Sequence, residues 1–187
     1  SIDSVKNKDA DIVISAGNTG ALLVISKLNL KMIENIDKPA LSALWPNKKG
    51  MSVVLDLGAN IECNSKNLVD FSIMGASLYK SLYPNNTPKI ALLNIGSEEL
   101  KGNEIIKETF QILNEKKFKN FDFSGYIEGN QLMDGNVNVI ISDGFTGNVA
   151  LKTAEGTANF ITDELKMIFK GSILGKISAI LNYSNLN

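Results

Sequence analysis

Residues 51–58 read MSVVLDLG, an apolar, β-branched run too short for a helix and closed by glycine. A strand buried on both faces of a parallel sheet takes this unbroken form, because neither face needs polar side chains. Four similar runs lie outward from it: DIVISAG at 11–17, KIALLNIG at 89–96, FDFSGYIEG at 121–129 and VNVIISDG at 137–144. The run at 121–129 is the most polar and is expected nearer a sheet edge.

Helical spacing fills the gaps between the runs. Residues 19–32 place Leu22, Leu23, Ile25, Leu28 and Leu30 at apolar positions, and residues 65–83 do so with Leu68, Phe71, Ile73, Leu78 and Leu82. Residues 103–117 put Ile105, Ile106, Phe110 and Leu113 inward, with Glu and Lys outward. Residues 147–169 repeat Leu151, Ala154, Ala158, Ile161, Leu165 and Ile168 at steps of three and four. Pro39, Pro46, Pro84 and Pro88 are read between elements, where proline does least harm. Strand and helix in alternation predict βαβ units with right-handed crossovers and a mainly parallel sheet covered by helices, an α/β fold.

The 187 residues are 44% hydrophobic and 21% charged, as an ordinary soluble domain is. A net charge of -1 argues against a nucleic-acid partner, which would call for a basic surface. All 19 basic residues are lysine; arginine and histidine are absent. That excludes imidazole acid–base chemistry, histidine-ligated metals and bidentate arginine clamps from this sequence. An anion here must be held by lysine, by backbone N–H groups, or by amide and hydroxyl side chains. Cys63 is the lone cysteine, which fits a reducing, cytoplasmic setting without a disulfide framework. No apolar run reaches the roughly 18 residues of a membrane-spanning helix, and no signal peptide is legible at the start. A first residue other than Met reads as a piece of a longer chain.

Ligands of open α/β sheets bind outside the carboxyl ends of the strands, where helix N-termini point. The exits read SAGNTG at 15–20, DLGAN at 56–60, NIGSEE at 94–99, EGN at 128–130 and SDGFTGN at 142–148. Glycine lets the backbone approach a ligand closely, amides and hydroxyls add neutral hydrogen bonds, and helix N-termini favour an anion. Gly and Asn are also ordinary turn residues, but five such exits on one edge favour a polar, anion-accepting cleft. The residues expected to line it are Ser15, Gly17, Asn18, Thr19, Gly20, Asp56, Gly58, Asn60, Asn94, Gly96, Glu98, Asn103, Asn130, Asp143, Gly144, Phe145 and Gly147.

Lys101 lies between a strand end and a helix start. It can bring a point charge to phosphate or to a developing oxyanion, or it can be a solvated loop lysine paired with Glu98 or Glu99; position alone leaves both open. Lys152, one turn inside the last long helix, is expected to face water. No Walker loop and no G-x-G-x-x-G turn follows a strand, so nucleotide and hydride chemistry have little support. Without a histidine to activate it, Cys63 is expected to be buried as a small apolar residue. Asp56 and Asp143 are read as orienting loop amides, and no carboxylate cluster has the spacing of metal ligands.

At these same exits the sequence resembles the bacterial phosphate acyltransferase family of phospholipid synthesis. The matching stretches are SAGNTGA at 15–21, DLGANIEC at 56–63, FSIMG at 71–75, LLNIGSEELKGNE at 92–104, IEGN at 127–130 and SDGFTGNVALKTAEG at 142–156. The resemblance implies a three-layer α/β/α fold similar to isocitrate dehydrogenase and phosphotransacetylase, in a homodimer with sites near its interface. It implies transfer of a long-chain acyl group from acyl carrier protein to inorganic phosphate, with no cofactor. Lys101 and Asn148 would then be catalytic, holding phosphate and steadying the oxyanion, and Asn18, Thr19, Asn60 and Asn103 would line the cleft. Two departures stand out: no Asp-x-Met-Gly-Gly-Asp segment precedes Ser1, and the sequence stops short of the family's final strands and helices. The site is therefore expected largely within this sequence and the activity in a longer one.

Residues 170–181 read KGSILGKISAIL, with lysines outside an apolar stripe. Such a helix can lie in a membrane interface or can bury its stripe in a dimer or a core. The resemblance favours peripheral contact with the inner face of the membrane through Ile173, Leu174, Ile177, Ile180 and Leu181. The expected organisation is an α/β catalytic domain over 1–169 and an amphipathic helical projection over 170–187. The rival functions are a short-chain phosphotransacetylase acting on acyl-coenzyme A and a non-catalytic domain binding an acyl carrier or an anion.

Overall fold

The computed structural model describes residues 1–171 and 173–181, with the side chains of Ile173, Lys176, Ala179 and Ile180 also outside the description. Five strands form one sheet: β1 (Ser42–Asn47), β2 (Gly50–Leu55), β3 (Lys89–Asn94), β4 (Asp122–Glu128) and β5 (Val139–Ile141). Their order across the sheet is β1-β2-β5-β3-β4. β1 and β2 form an antiparallel hairpin, and every other pairing is parallel. The helices are α1 (Ile2–Lys6), α2 (Thr19–Asn29), α3 (Ser65–Leu82), α4 (Glu104–Glu115), α5 (Gly144–Lys170) and α6 (Ile173–Leu181). The expected α/β class and mainly parallel sheet are borne out.

The unbroken apolar runs are strands because both of their faces are covered. Val53, Leu55, Ile90, Leu92, Val139 and Ile141 share one core with Leu68, Phe71, Ala76 and Tyr79 of α3 and with Ile106 and Leu113 of α4. Val54, Ala91 and Ile140, which alternate with them, are buried as well. Fully burying each large apolar side chain contributes roughly 1.5 to 3 kcal/mol. Gly75 lets α3 sit against the sheet, since a Cβ there would lie 2.5 Å from Val139 Cγ1 and 2.8 Å from Leu55 Cδ2. At the start of α3, Asn64 accepts from the Asn67 N–H while the Asn67 side chain accepts from the Asn64 N–H, a reciprocal cap.

Three expectations need correction. The run at 11–17 forms no strand; it has no regular structure, and Ile12 and Ile14 are 73% and 89% exposed. An apolar run becomes a strand only beside a partner, and 11–17 pairs with none of the five strands of the sheet. Pro46, expected between elements, lies inside β1. As a sheet-edge strand, β1 tolerates a residue without an N–H. The apolar positions of α2 are not buried either: Val24, Ile25 and Leu28 are exposed.

The chain forms two compact units, Ser1–Asn148 and Val149–Asn187, with the boundary inside α5. The expected division after residue 169 lies next to the end of α5 at Lys170. In the second unit Phe160, Ile161, Leu165, Met167 and Ile168 are exposed. Among the described residues no helix is long and apolar enough to cross a membrane.

Candidate active site

The parallel register puts the carboxyl ends of β2, β3, β4 and β5 on one edge: Leu55 pairs with Ile141, Leu92 with Ile141, and Asn94 with Glu128. Because β1 runs antiparallel, the residues that lead into it lie at that edge too. Asp56, the first residue past β2, is fully buried. Its Oδ1 accepts from the N–H groups of Leu41, Gly58 and Ala59, and its Oδ2 from the backbone N–H and the side-chain Nδ2 of Asn60. Asn60 Nδ2 also donates to the Pro39 carbonyl, at 2.7 Å. The carboxylate shapes the 56–60 turn as expected, and these five bonds leave no face of it for a substrate. The backbones of Pro39 and Leu41 had no sequence signal; only the hairpin brings them here.

The 56–60 turn packs against the start of α5. The Gly144 N–H donates to the Asn60 carbonyl at 2.8 Å, and a Cβ on Gly144 would lie 2.5 Å from that oxygen. Gly147 lies so close to the Asp56 carbonyl that no side chain fits. Both glycines are buried and serve this contact through their backbones. Asn148, one residue on, is exposed and lies beside Gly58, which has φ +130°. A Cβ on Gly58 would sit 2.8 Å from Asn148 Nδ2.

The exits also hold their helices' caps. Asn18, Asn103 and Asp143 accept from the backbone N–H groups of Ala21, Ile106 and Thr146, and Asp143 accepts from the Thr146 hydroxyl too. Capping satisfies one of the four unpaired N–H groups of a helix start, which accounts for much of the Asn and Asp at these exits. Each cap uses a side-chain oxygen, so Asn18 and Asn103 keep Nδ2 as a neutral donor.

Beyond β3 the chain passes through Gly96, which is buried, and Glu98, which is exposed, to Lys101. The Lys101 side chain is 53% exposed, and its Nζ stands 3.9 Å from Glu98 Oε1. An exposed pair that long contributes little, about 0 to 1 kcal/mol, and leaves the ammonium available.

A cleft of about 450 Å³ opens among these starts, lined by Cys63, Asn103, Asp143, Phe145 and Thr146 together with Ile61, Glu62, Leu68, Ile105 and Ile106. The exits of β2, β3 and β5 thus meet at one cleft with a mixed polar and apolar lining. Cys63 is half-buried there and donates to the Asn60 carbonyl at 3.6 Å. Burial pushes its thiol above the usual value, so it stays protonated rather than acting as a thiolate. Among the described residues no three His, Cys, Asp or Glu groups gather as metal ligands. The other two exits stand apart from this cleft. The hydrogen bonds of Ser15, Gly17 and Asn18 stay within their own exit and α2, where Ser15, Gly17 and Asn18 line a separate hollow against α1. Thr19 and Gly20 begin α2 and are exposed, as is Asn130 in the short turn after β4.

The model of a family described as fatty acid synthesis protein matches residues 1–187. Among curated proteins the chain is 78% identical over 185 residues to the phosphate acyltransferase of Pelagibacter ubique, covering 99% of this chain and 56% of that protein. It is 45% identical over 177 residues to the phosphate acyltransferase of Rhizobium etli, covering 95% of this chain and 51% of that one. The chain therefore spans about half the length of the curated relatives it matches. Among solved structures, a phosphotransacetylase from Streptococcus pyogenes aligns with TM-score 0.63 over 84% of this chain and 54% of that one. At 18% identity this shows a shared α/β fold.

Proposed function

We propose that this chain, which belongs to the family described as fatty acid synthesis protein, carries most of the site of an enzyme that moves a long-chain acyl group from acyl-acyl-carrier-protein to inorganic phosphate. The supporting observation is the meeting of three strand exits at one cleft; Lys101, free of a tight ion pair, and Asn148, beside Gly58, lie on the same exits though not in its lining. A phosphate oxygen attacks the thioester carbonyl, the O–C bond forms as the carbonyl becomes an oxyanion, and the C–S bond then breaks. The products are acyl phosphate and the carrier thiolate, which takes a proton from water. The nucleophile is already an anion, so a base is not needed to make it one. Lys101 supplies positive charge to phosphate, and Asn148 donates from Nδ2 to the oxyanion. Asn103 and the first-turn N–H groups of α4 and α5 keep the cleft receptive to negative charge, whereas the donors of Asn60 are spent on Asp56 and Pro39.

The test is product formation by the full-length protein. Acyl phosphate should appear from palmitoyl-carrier-protein and phosphate, and Lys101→Ala and Asn148→Ala should each lower turnover by about 100-fold, the scale of losing one oxyanion donor. Product from acetyl-coenzyme A alone would favour a short-chain phosphotransacetylase. Unchanged turnover in either variant would remove that residue from the site.

Two further readings belong to the same proposal. The exposed apolar side chains of α5, Phe160, Ile161, Leu165 and Ile168, support a homodimer; sedimentation giving only a monomer would count against it. The exposed Leu174, Ile177 and Leu181 of α6 support contact with the cytoplasmic face of a membrane. Leu174→Glu should then reduce co-sedimentation with anionic vesicles, and undiminished binding would argue for burial of this stripe in protein. The side chains of Ile173 and Ile180, expected in the same stripe, and residues 172 and 182–187 lie outside the described structure.

A further inference from the structure

The segment bearing Lys101 leaves β3 at Asn94 and rejoins regular structure at Asn103, the cap of α4. Its two apolar side chains do not hold it, since Ile95 is 80% and Leu100 88% exposed. Asn94 does. It is only 9% exposed, and its Nδ2 donates to the carbonyls of Gly96 and Lys101, each at 3.1 Å. One amide group thus pins both ends of the loop. Its oxygen lies against Gly102, which has φ +96° and where a Cβ would stand 2.5 Å from Oδ1. An inner turn, from the Lys101 N–H to the Glu98 carbonyl at 3.0 Å, completes the clamp.

We infer that Asn94, expected from the sequence to bind substrate, is instead a positioning residue: it fixes the backbone of Lys101 and so aims its ammonium. The inference rests on the reading that Lys101 binds phosphate. Both amide hydrogens of Asn94 are consumed inside the protein, and its oxygen faces Gly102 rather than the cleft. An aspartate of the same shape has no hydrogen to donate and would set a negative charge against two carbonyl oxygens. A misplacement of about 1 Å at a reacting group can cost about 100-fold.

The experiment is a double-variant cycle in the full-length enzyme, read as kcat/KM for phosphate with melting temperature recorded for every variant. Asn94→Asp alone should lower kcat/KM by about 10- to 100-fold. Gly102→Ala, which presses on the same amide from the other side, should act in the same direction, so the inference stays testable if Asn94→Asp folds poorly. In the Lys101→Ala background, either change should add less than about threefold, because the group it positions is gone. A full multiplicative loss in that background would overturn the inference, whether it came from direct substrate contact or from general loss of structure. The phosphate role of Lys101 would survive that result. Unchanged kcat/KM in Lys101→Ala alone would overturn both.

Discussion

Gly58, in the turn after β2, lies against Asn148 near the start of α5: a Cβ on Gly58 would come within 2.8 Å of Asn148 Nδ2. Gly58 also has φ +130°, where an L side chain is strained by about 1 to 3 kcal/mol. Gly58→Ala is therefore expected to push the Asn148 amide aside. Turnover of the full-length protein should fall by about tenfold or more, approaching the loss from removing an oxyanion donor. Gly50, at φ +129° with nothing within 4 Å of its Cβ position, is the control: Gly50→Ala should carry the backbone strain without the loss of turnover.

Asp56→Asn should destabilise the fold while leaving its shape. Both carboxylate oxygens accept N–H donors, so an amide NH2 in place of either sets donor against donor in a fully buried site. The expected loss is about 3 kcal/mol, the scale of a charge-assisted hydrogen bond plus an unmet buried donor. It should be read as a lower urea midpoint at an unchanged slope. A midpoint equal to that of the parent would mean that the five bonds do not hold the turn.

Gly75→Ala tests the packing of α3 on β2 and β5. The added methyl meets Val139 and Leu55 in the centre of the core, and overpacking of this kind costs about 1 to 3 kcal/mol. Thermal melting should drop, while activity per folded molecule stays near the parent value because Gly75 is inside the helix rather than at an exit.

The Cys63 thiol gives a pH prediction. Burial raises its pKa above the ordinary 9.0, with smaller opposing and reinforcing effects from the Gly144 N–H and Asp56. The folded state thus holds this proton more tightly than the unfolded state does. The linked stability is fully present below pH 9.0 and is lost as pH rises through the folded-state value. Alkylation of the native protein should reach half its limiting rate above pH 9.0, and adding denaturant at pH 8 should speed it. An inflection at or below 9.0 in the native protein would contradict the burial account.

Local sequence already carried the strands β2, β3, β5 and the edge strand β4, the helices α2, α3, α4 and α5, and four of the exits that gather on one sheet edge. Burial on two faces leaves an unbroken apolar run, and burial on one face leaves a helical stripe; both are written locally in the chain. The same local signal misleads at 11–17, because a strand also needs a neighbour to accept its hydrogen bonds. It is missing from β1, where the neighbour exists and the residues include proline. Asparagine beside glycine was legible as exit chemistry. Only tertiary structure divided these residues by role: Asn18 and Asn103 cap helices, Asn94 and Asp56 turn inward to hold loops, and Lys101 and Asn148 remain exposed. The reason is physical. Periodic burial repeats every two to four residues, whereas the partners of Asp56 and Asn148 come from Leu41 and Gly58, 15 and 90 residues away along the chain. No local pattern encodes a hydrogen bond or a close approach made across that distance.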